Sequence, residues 1–230
     1  AHGGEVLYRQ RVEHIEVSRD RATIVHTSKG SRRDADFVLA NVTPWALHDL
    51  LGSTAPAPLS AEIASRKPTW GAFTLYLGLD GAHIPDGLAD HHQVIVDPTR
   101  PLGEGNSVFI SLSDPDDPNR APVGMRAATL STHTDVGAWW KLNQPFMEDA
   151  YLERLEIYAE RLIAAAETVI PGIRSAIRLK LPGTPVTFQY YTGRPLGMVG
   201  GFAQTSIFAA RGPQTGINNL WLVGDSIFPG

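Results

Sequence analysis

The run NNLWLVGDSIFPG drives an apolar strand straight into Gly224 and Asp225. In open α/β sheets ligands bind at the carboxyl ends of buried strands, and a carboxylate there accepts hydrogen bonds from sugar-like hydroxyls. Gly224 would let a ligand come close to the backbone, and a turn after Asp225 would start a helix whose free N–H groups face an anion. The plainer alternative is a strand that ends in a turn, with Asp225 as a helix N-cap.

Other residues have the right types for chemistry but the wrong spacing. Asp114, Asp116 and Asp117 are interrupted by Pro115 and Pro118 and lack the spacing of a calcium loop, so no metal is expected. His91 and His92 are adjacent, and on a strand they point to opposite faces. Ser131, His133 and Asp135 have the residue types of a nucleophilic triad but alternate on a strand, with no G-x-S-x-G elbow anywhere. Gly103 and Gly105 begin a G-x-G whose third glycine is replaced by Val108, so no dinucleotide fingerprint forms. Trp139 and Trp140, beside Leu142, Phe146 and Met147, read either as core packing or as an apolar surface for a lipid or a partner.

The elements that must position these residues belong to a folded body of 230 residues, 43% hydrophobic and 19% charged. A net charge of −4 argues against a nucleic-acid partner, and the absence of cysteine removes disulfides, thiolate metal sites and Cys nucleophiles. No apolar run approaches the ~18 residues that span a bilayer.

Residues 1–40 read as a strand meander ending in an apolar, more deeply buried strand from Phe37 to Ala40. Thr43, Pro44 and Gly52 supply the N-cap, first-turn proline and glycine stop of a short helix. Pro56, Pro58 and Pro68 then change the composition, with Ser60 placed to cap another short helix. The runs GAFTLYLGLD, HHQVIVD, NSVFISLS and MRAATLSTHT predict an antiparallel sheet between Gly71 and Thr134. Leu152, Leu155, Ala159, Leu162, Ala166 and Val169 recur at helical spacing, predicting a helix from Pro145 to Ile170, roughly 38 Å long, over one sheet face. A short strand follows near Ile177 to Leu181, and Gly193 to Gly216 reads as an ordered loop shaped around something.

The segments IPGIRSAI, TPVTFQYYTG, RPLGMVGGFAQT and TGINNLWLVGDSIFPG, in this order, resemble the C-terminal part of the FAD-dependent carotenoid desaturase and isomerase family, the phytoene-dehydrogenase-like proteins. HGGEV, RVEHIEV and ADFVLANVTPWALHDLLG fit the same layout, whereas residues 55–145 agree mainly in their strand pattern. The resemblance implies a mixed α+β and α/β fold: a discontinuous FAD-binding domain, residues 1–55 and 184–230, and an inserted substrate domain, 56–183. The latter is built on a mixed, mainly antiparallel sheet covered by a long helix.

Carried over residue by residue, Val12 would meet the adenine ring through its backbone, and Asn41 and Pro44 would pass near the cofactor. Gly224 and Asp225 would hold the ribityl or pyrophosphate side of FAD, with Phe228, Pro229 and Gly230 approaching the isoalloxazine. The loop from Arg194 to Gly201, with Gly200 and Gly201, would lie along the flavin and the substrate channel. Phe73, Tyr76, Trp139, Trp140, Arg194 and Phe202 are candidates for the wall against a lipophilic polyene. The implied reaction is removal of hydrogen from that polyene, with hydride passing to the flavin, or its isomerisation; no catalytic base is named.

The family's G-x-G-x-x-G is absent, so the chain reads as a fragment whose partner is the N-terminal half of the same protein. Alone it is expected to bind FAD weakly or not at all, to be inactive and to self-associate through exposed apolar surface. A cytoplasmic location with peripheral membrane contact is implied by the substrate. The alternatives are a related amine or porphyrinogen oxidase, and a non-catalytic binding or scaffold domain on the same fold.

Overall fold

The computed structural model describes residues 3–67, 70–201 and 210–228. Two compact units are present, Ala1–Pro68 with Gly200–Gly230, and Thr69–Val199. The expected divisions at 55/56 and 183/184 fall short of these bounds for local reasons. Leu59 and Ile63, beyond residue 55, pack into the first unit's core. Beyond residue 183, the Gln189 side chain accepts from the Leu196 amide (2.6 Å), and the Trp140 indole donates to the Leu196 carbonyl (2.9 Å), binding 184–199 to the second unit.

In the first unit, β1 (Val12–Ser18) and β2 (Arg21–Thr27) form a hairpin, joined by β3 (Arg32–Asp34). Ile15 and Ala22 are buried, and the outer face carries Glu16, which holds His26 Nε2 at 2.7 Å. The next strand, β4 (Val38–Ala40), leaves the meander and pairs in parallel with β10 (Leu220–Leu222). That pairing corrects the expectation of a buried strand, since Phe37 is 70% and Leu39 68% exposed. A two-stranded pair buries one face against the core of Leu47, Leu51 and Leu59 and leaves the other bare. Asn219 ties the unit together: its Oδ1 accepts from the Ala22 amide at 2.7 Å, and its Nδ2 donates to the Ala22 and Asp36 carbonyls, both at 2.8 Å.

Helix α1 (Pro44–Leu51) starts as its sequence predicts, with Thr43 Oγ1 accepting from the Ala46 amide at 3.2 Å and Gly52 closing it at φ 54°. Helix α2 (Ala57–Ser65) starts at Pro56 rather than at Ser60. Pro58 is tolerated because first-turn N–H groups have no helical partner, and Ser60, inside the helix, donates back to the Pro56 carbonyl.

The second unit is built on a five-stranded sheet of order β6-β7-β8-β5-β9, comprising His91–Ile95, Ser107–Leu112, Met125–Asp135, Trp70–Asp80 and Ile177–Gly183. Every pairing in it is antiparallel, so the parallel element expected of a mixed sheet lies in the other unit. Strand alternation sends Phe73, Leu75, Leu77, Val108, Ile110 and Leu130 to one face, where Tyr158, Ala159, Leu162 and Ala166 cover them.

These covering residues belong to α4 (Glu148–Glu167), which is shorter than the expected 145–170. Its 20 residues span roughly 30 Å. Glu148 and Asp149 occupy the positive first turn. Ahead of it, α3 (Val136–Leu142) ends in a turn where Phe146 takes φ 70°. Asp135 caps α3, accepting from the Ala138 amide at 2.9 Å, which gives the third member of the triad-like set a structural role. The short α5 (Ile173–Ala176) precedes β9, and α6 (Pro185–Thr192) follows it, capped by Thr184 and ended by Gly193 at φ 68°.

Candidate functional site

Because β4 and β10 run parallel, their carboxyl ends emerge at one edge of the pair and bring residues 41 and 224 together. The Val223 amide donates to the Ala40 carbonyl at 3.1 Å, extending the ladder one step beyond β10. Gly224 then turns at φ 86°, and a Cβ there would overlap the Asn41 carboxamide. The chain reverses, with the Ile227 amide donating to the Gly224 carbonyl at 3.4 Å, and the turn leaves Asp225 exposed.

Asp225 Oδ2 accepts from the Gly200 amide at 3.3 Å. Gly201 lies so close to Ser226 that a Cβ would strike its backbone. Asn41, Gly200, Gly201, Gly224 and Asp225 therefore form one cluster. Ser226 is a member that sequence reasoning missed. Its hydroxyl is buried with no hydrogen-bond partner among the described residues, the kind of orphan found where a structure awaits a further group. Its place next to the carboxylate is the signal that could have found it.

Pro44 is buried at the first position of α1, three residues past Asn41. Val12 pairs with Thr27, at the opposite end of the hairpin from the Asp20 carbonyl that holds the Asn218 amide. Phe228 is half exposed, its amide donating to the Arg211 carbonyl at 2.8 Å. Burial pulls the Arg211 guanidinium below its ordinary range, opposed by Glu62 at 3.4 Å. Phe202, Pro229 and Gly230 lie outside the described residues. Among the described residues no cluster could hold a metal, and Asp114 and Asp117 instead cap turns through the amides of Asp116 and Asn119.

A family model described as flavin containing amine oxidoreductase matches residues 1–227. The chain belongs to this flavin-containing amine oxidoreductase family. The chain is 28% identical over 237 residues to a chloroplastic prolycopene isomerase of Daucus carota, covering 99% of this chain and 38% of the relative. It is 26% identical over 249 residues to a phytoene desaturase (lycopene-forming) of Pantoea ananas, covering 99% and 48%. The chain thus spans less than half the length of either relative.

Among solved structures, an oxidoreductase from Methanosarcina mazei is similar at TM-score 0.59 and 19% identity, covering 95% of this chain and 44% of that one. A putrescine oxidase bound to putrescine is similar at 0.53 and 10%, with 95% and 44% covered. These likenesses are of the fold alone. A flavin nucleotide fits the residues present: a glycine turn without a side chain, an exposed carboxylate for hydroxyls, and the buried orphan hydroxyl beside it.

In the second unit, the residues expected to face substrate divide. Phe73 and Trp139 are wholly buried; their rings stack at 5.7 Å, and the Trp139 indole donates to Thr134 Oγ1 at 3.0 Å. Both belong to the core, because odd-numbered positions of β5 face α4. Tyr76 faces the other way. Trp140 is partly buried, and Arg194 donates to the Met198 carbonyl at 3.5 Å. Of the two readings of the Trp139–Met147 run, core packing holds for Trp139, while Phe146 and Met147 are its exposed large apolar members.

Proposed function

We propose that this chain is part of a flavin-dependent oxidoreductase that desaturates or isomerises a carotenoid polyene. The observation carrying this reading is the match along 99% of the chain to relatives named as prolycopene isomerase and phytoene desaturase. FAD, when bound, would supply the two-electron chemistry. Asn41, Gly224 and Asp225 would hold its hydroxylated portion, with Val12, Pro44, Gly200, Gly201, Phe228 and Pro229 as the further contacts we assign.

Support for an apolar substrate comes from the sheet face turned away from α4. Register places Leu181 beside Tyr76, and Gln93 beside Phe109. Tyr76, Phe109, Ile95, Leu179 and Leu181 on this face are between 44% and 52% exposed. Small residues lie between the large ones: Thr129 pairs with both Tyr76 and Ser111, and Ser131 pairs with both Thr74 and Phe109. Across five strands this makes a surface roughly 19 Å wide, suited to holding a long apolar chain by contact. Tyr76, Trp140, Arg194 and Phe202 remain our assignments to the wall. Peripheral lipid contact is part of the proposal, because the substrate would reside there; no described helix is long and apolar enough to cross a membrane.

The test is pigment analysis in a strain from which the gene has been deleted. Accumulation of a more saturated or cis-configured polyene, reversed by the full-length gene, supports the reading. An unchanged carotenoid profile overturns it.

A further inference from the structure

The second unit holds a cavity of about 520 Å³ between the end of β6 and α4, and Ile95 is the one residue of its lining that also belongs to the apolar face described above. Val94 and Val96 from the end of β6 and Ala164 and Ala165 from α4 form its apolar wall. Arg100 and Arg161 are its cationic lining. Two guanidinium groups on one cavity repel each other unless an anion lies between them.

The carboxylates nearby are already engaged. Glu104 is held at φ 52° between two glycines, Gly103 at φ 94° and Gly105 at φ 82°. Three successive residues in the left-handed region are costly, and for Glu104 that cost has no counterpart in a glycine's freedom. What it achieves is to place the Glu104 carboxylate on the Asp135 amide (2.6 Å), the Thr134 hydroxyl (3.3 Å) and the Tyr158 hydroxyl, with Arg154 at 3.6 Å as its counter-charge. Asp97 accepts from the Thr99 amide and hydroxyl at 2.9 and 2.6 Å, and senses Arg100 only as a nearby charge.

The Arg161 side chain and the loop that carries Arg100 are both fixed. Arg161 donates to the Glu104 carbonyl at 3.3 Å and lies over the Tyr158 ring at 5.4 Å, which uses a small part of its five-donor capacity. A side chain at Gly105 would crowd the Arg161 stem. Arg100 sits on a loop fixed by buried Asn106, whose Nδ2 donates to the carbonyls of Asp97, Arg100 and Pro101 while its Oδ1 accepts from the Asp97 amide. The Arg100 guanidinium makes no hydrogen bond or ion pair among the described residues.

We propose that this cavity binds an amphiphilic anion, a carboxylate or phosphate head gripped by Arg100 and Arg161, with a short apolar body against Val94, Val96, Ala164 and Ala165. Guanidinium forks match both head groups, so the chemistry is shared by a free organic acid and a phospholipid head.

The test is calorimetric titration of the 230-residue chain with octanoate and, separately, with inorganic phosphate. Saturable binding of either, weakened at least tenfold by Arg100→Gln, supports the site. Tighter octanoate binding assigns it to organic acids, and tighter phosphate binding to a phosphate head. Arg161→Gln should weaken binding similarly, but Arg100→Gln is the deciding variant because the Arg100 side chain is exposed and makes no hydrogen bond or ion pair among the described residues. No saturation by either probe, or binding that Arg100→Gln leaves unchanged, overturns the proposal. Because the readout is ligand binding and not pigment conversion, its failure is separate from failure of the polyene reading.

Discussion

Gly224 and Asn41 occupy each other's space: the missing side chain of one is the room taken by the carboxamide of the other. Gly224→Ala should therefore lower stability by about 2 kcal/mol or more, from a positive φ combined with a clash. In the Gly224→Ala, Asn41→Gly double variant the clash is removed and the strain remains, so about half of the loss should return. Thermal denaturation of the four proteins checks this. Strictly additive losses would show that the two residues do not share that space.

Asp225→Asn in the full-length protein should weaken FAD retention by about tenfold or more, since a hydrogen bond to a charged group contributes about 1.5–3 kcal/mol. Flavin fluorescence released on dilution measures it. In the 230-residue chain, the same substitution should leave the melting temperature nearly unchanged, because Asp225 is exposed.

The 230-residue chain by itself should take up little FAD. No G-x-G-x-x-G occurs in the sequence, and that motif provides the main phosphate grip in dinucleotide folds. A stoichiometric yellow complex after gel filtration would contradict this.

Phe73 and Tyr76 sit three residues apart on β5 and should behave oppositely. Phe73→Ala empties a fully buried site and should cost about 3–5 kcal/mol in urea denaturation. Tyr76→Ala should cost under about 1 kcal/mol and instead change the product distribution of the full-length enzyme. A large stability loss at Tyr76 would place it in the core.

Burial raises the Tyr151 hydroxyl pKa, with the Thr184 hydrogen bond at 2.6 Å opposing. A folded value above the unfolded one means that this contribution is fully present below about pH 10 and fades as pH climbs through the folded value. Tyr151→Phe should flatten that alkaline decline. Melting temperatures between neutral and strongly alkaline pH, compared for the two proteins, decide it.

What could be read in the sequence was local. Thr43, Pro44 and Gly52 bracket α1 because caps act within a turn of the helix they end. The strand runs of the second unit alternate strongly enough to give their antiparallel sheet. Pairing of β4 with β10 was not legible, since nothing in a three-residue strand names a distant partner. Alternation alone does not tell which face of β5 α4 covers, so the sequence does not separate Phe73 from Tyr76. Asn219 gains its role only from a neighbour remote in sequence, the Ala22 amide, whereas Ser226 had a local signal in its place beside Asp225.

The Ala22 amide and the Asn219 side chain, 197 residues apart, have a consequence for biosynthesis. On the ribosome, residues 69–199 emerge as an uninterrupted stretch and can collapse while translation continues. The hairpin and α1 must meanwhile wait for codon 222 before their last strand arrives. Truncated nascent chains should accordingly acquire protease resistance first in residues 69–199 and last in the hairpin and α1.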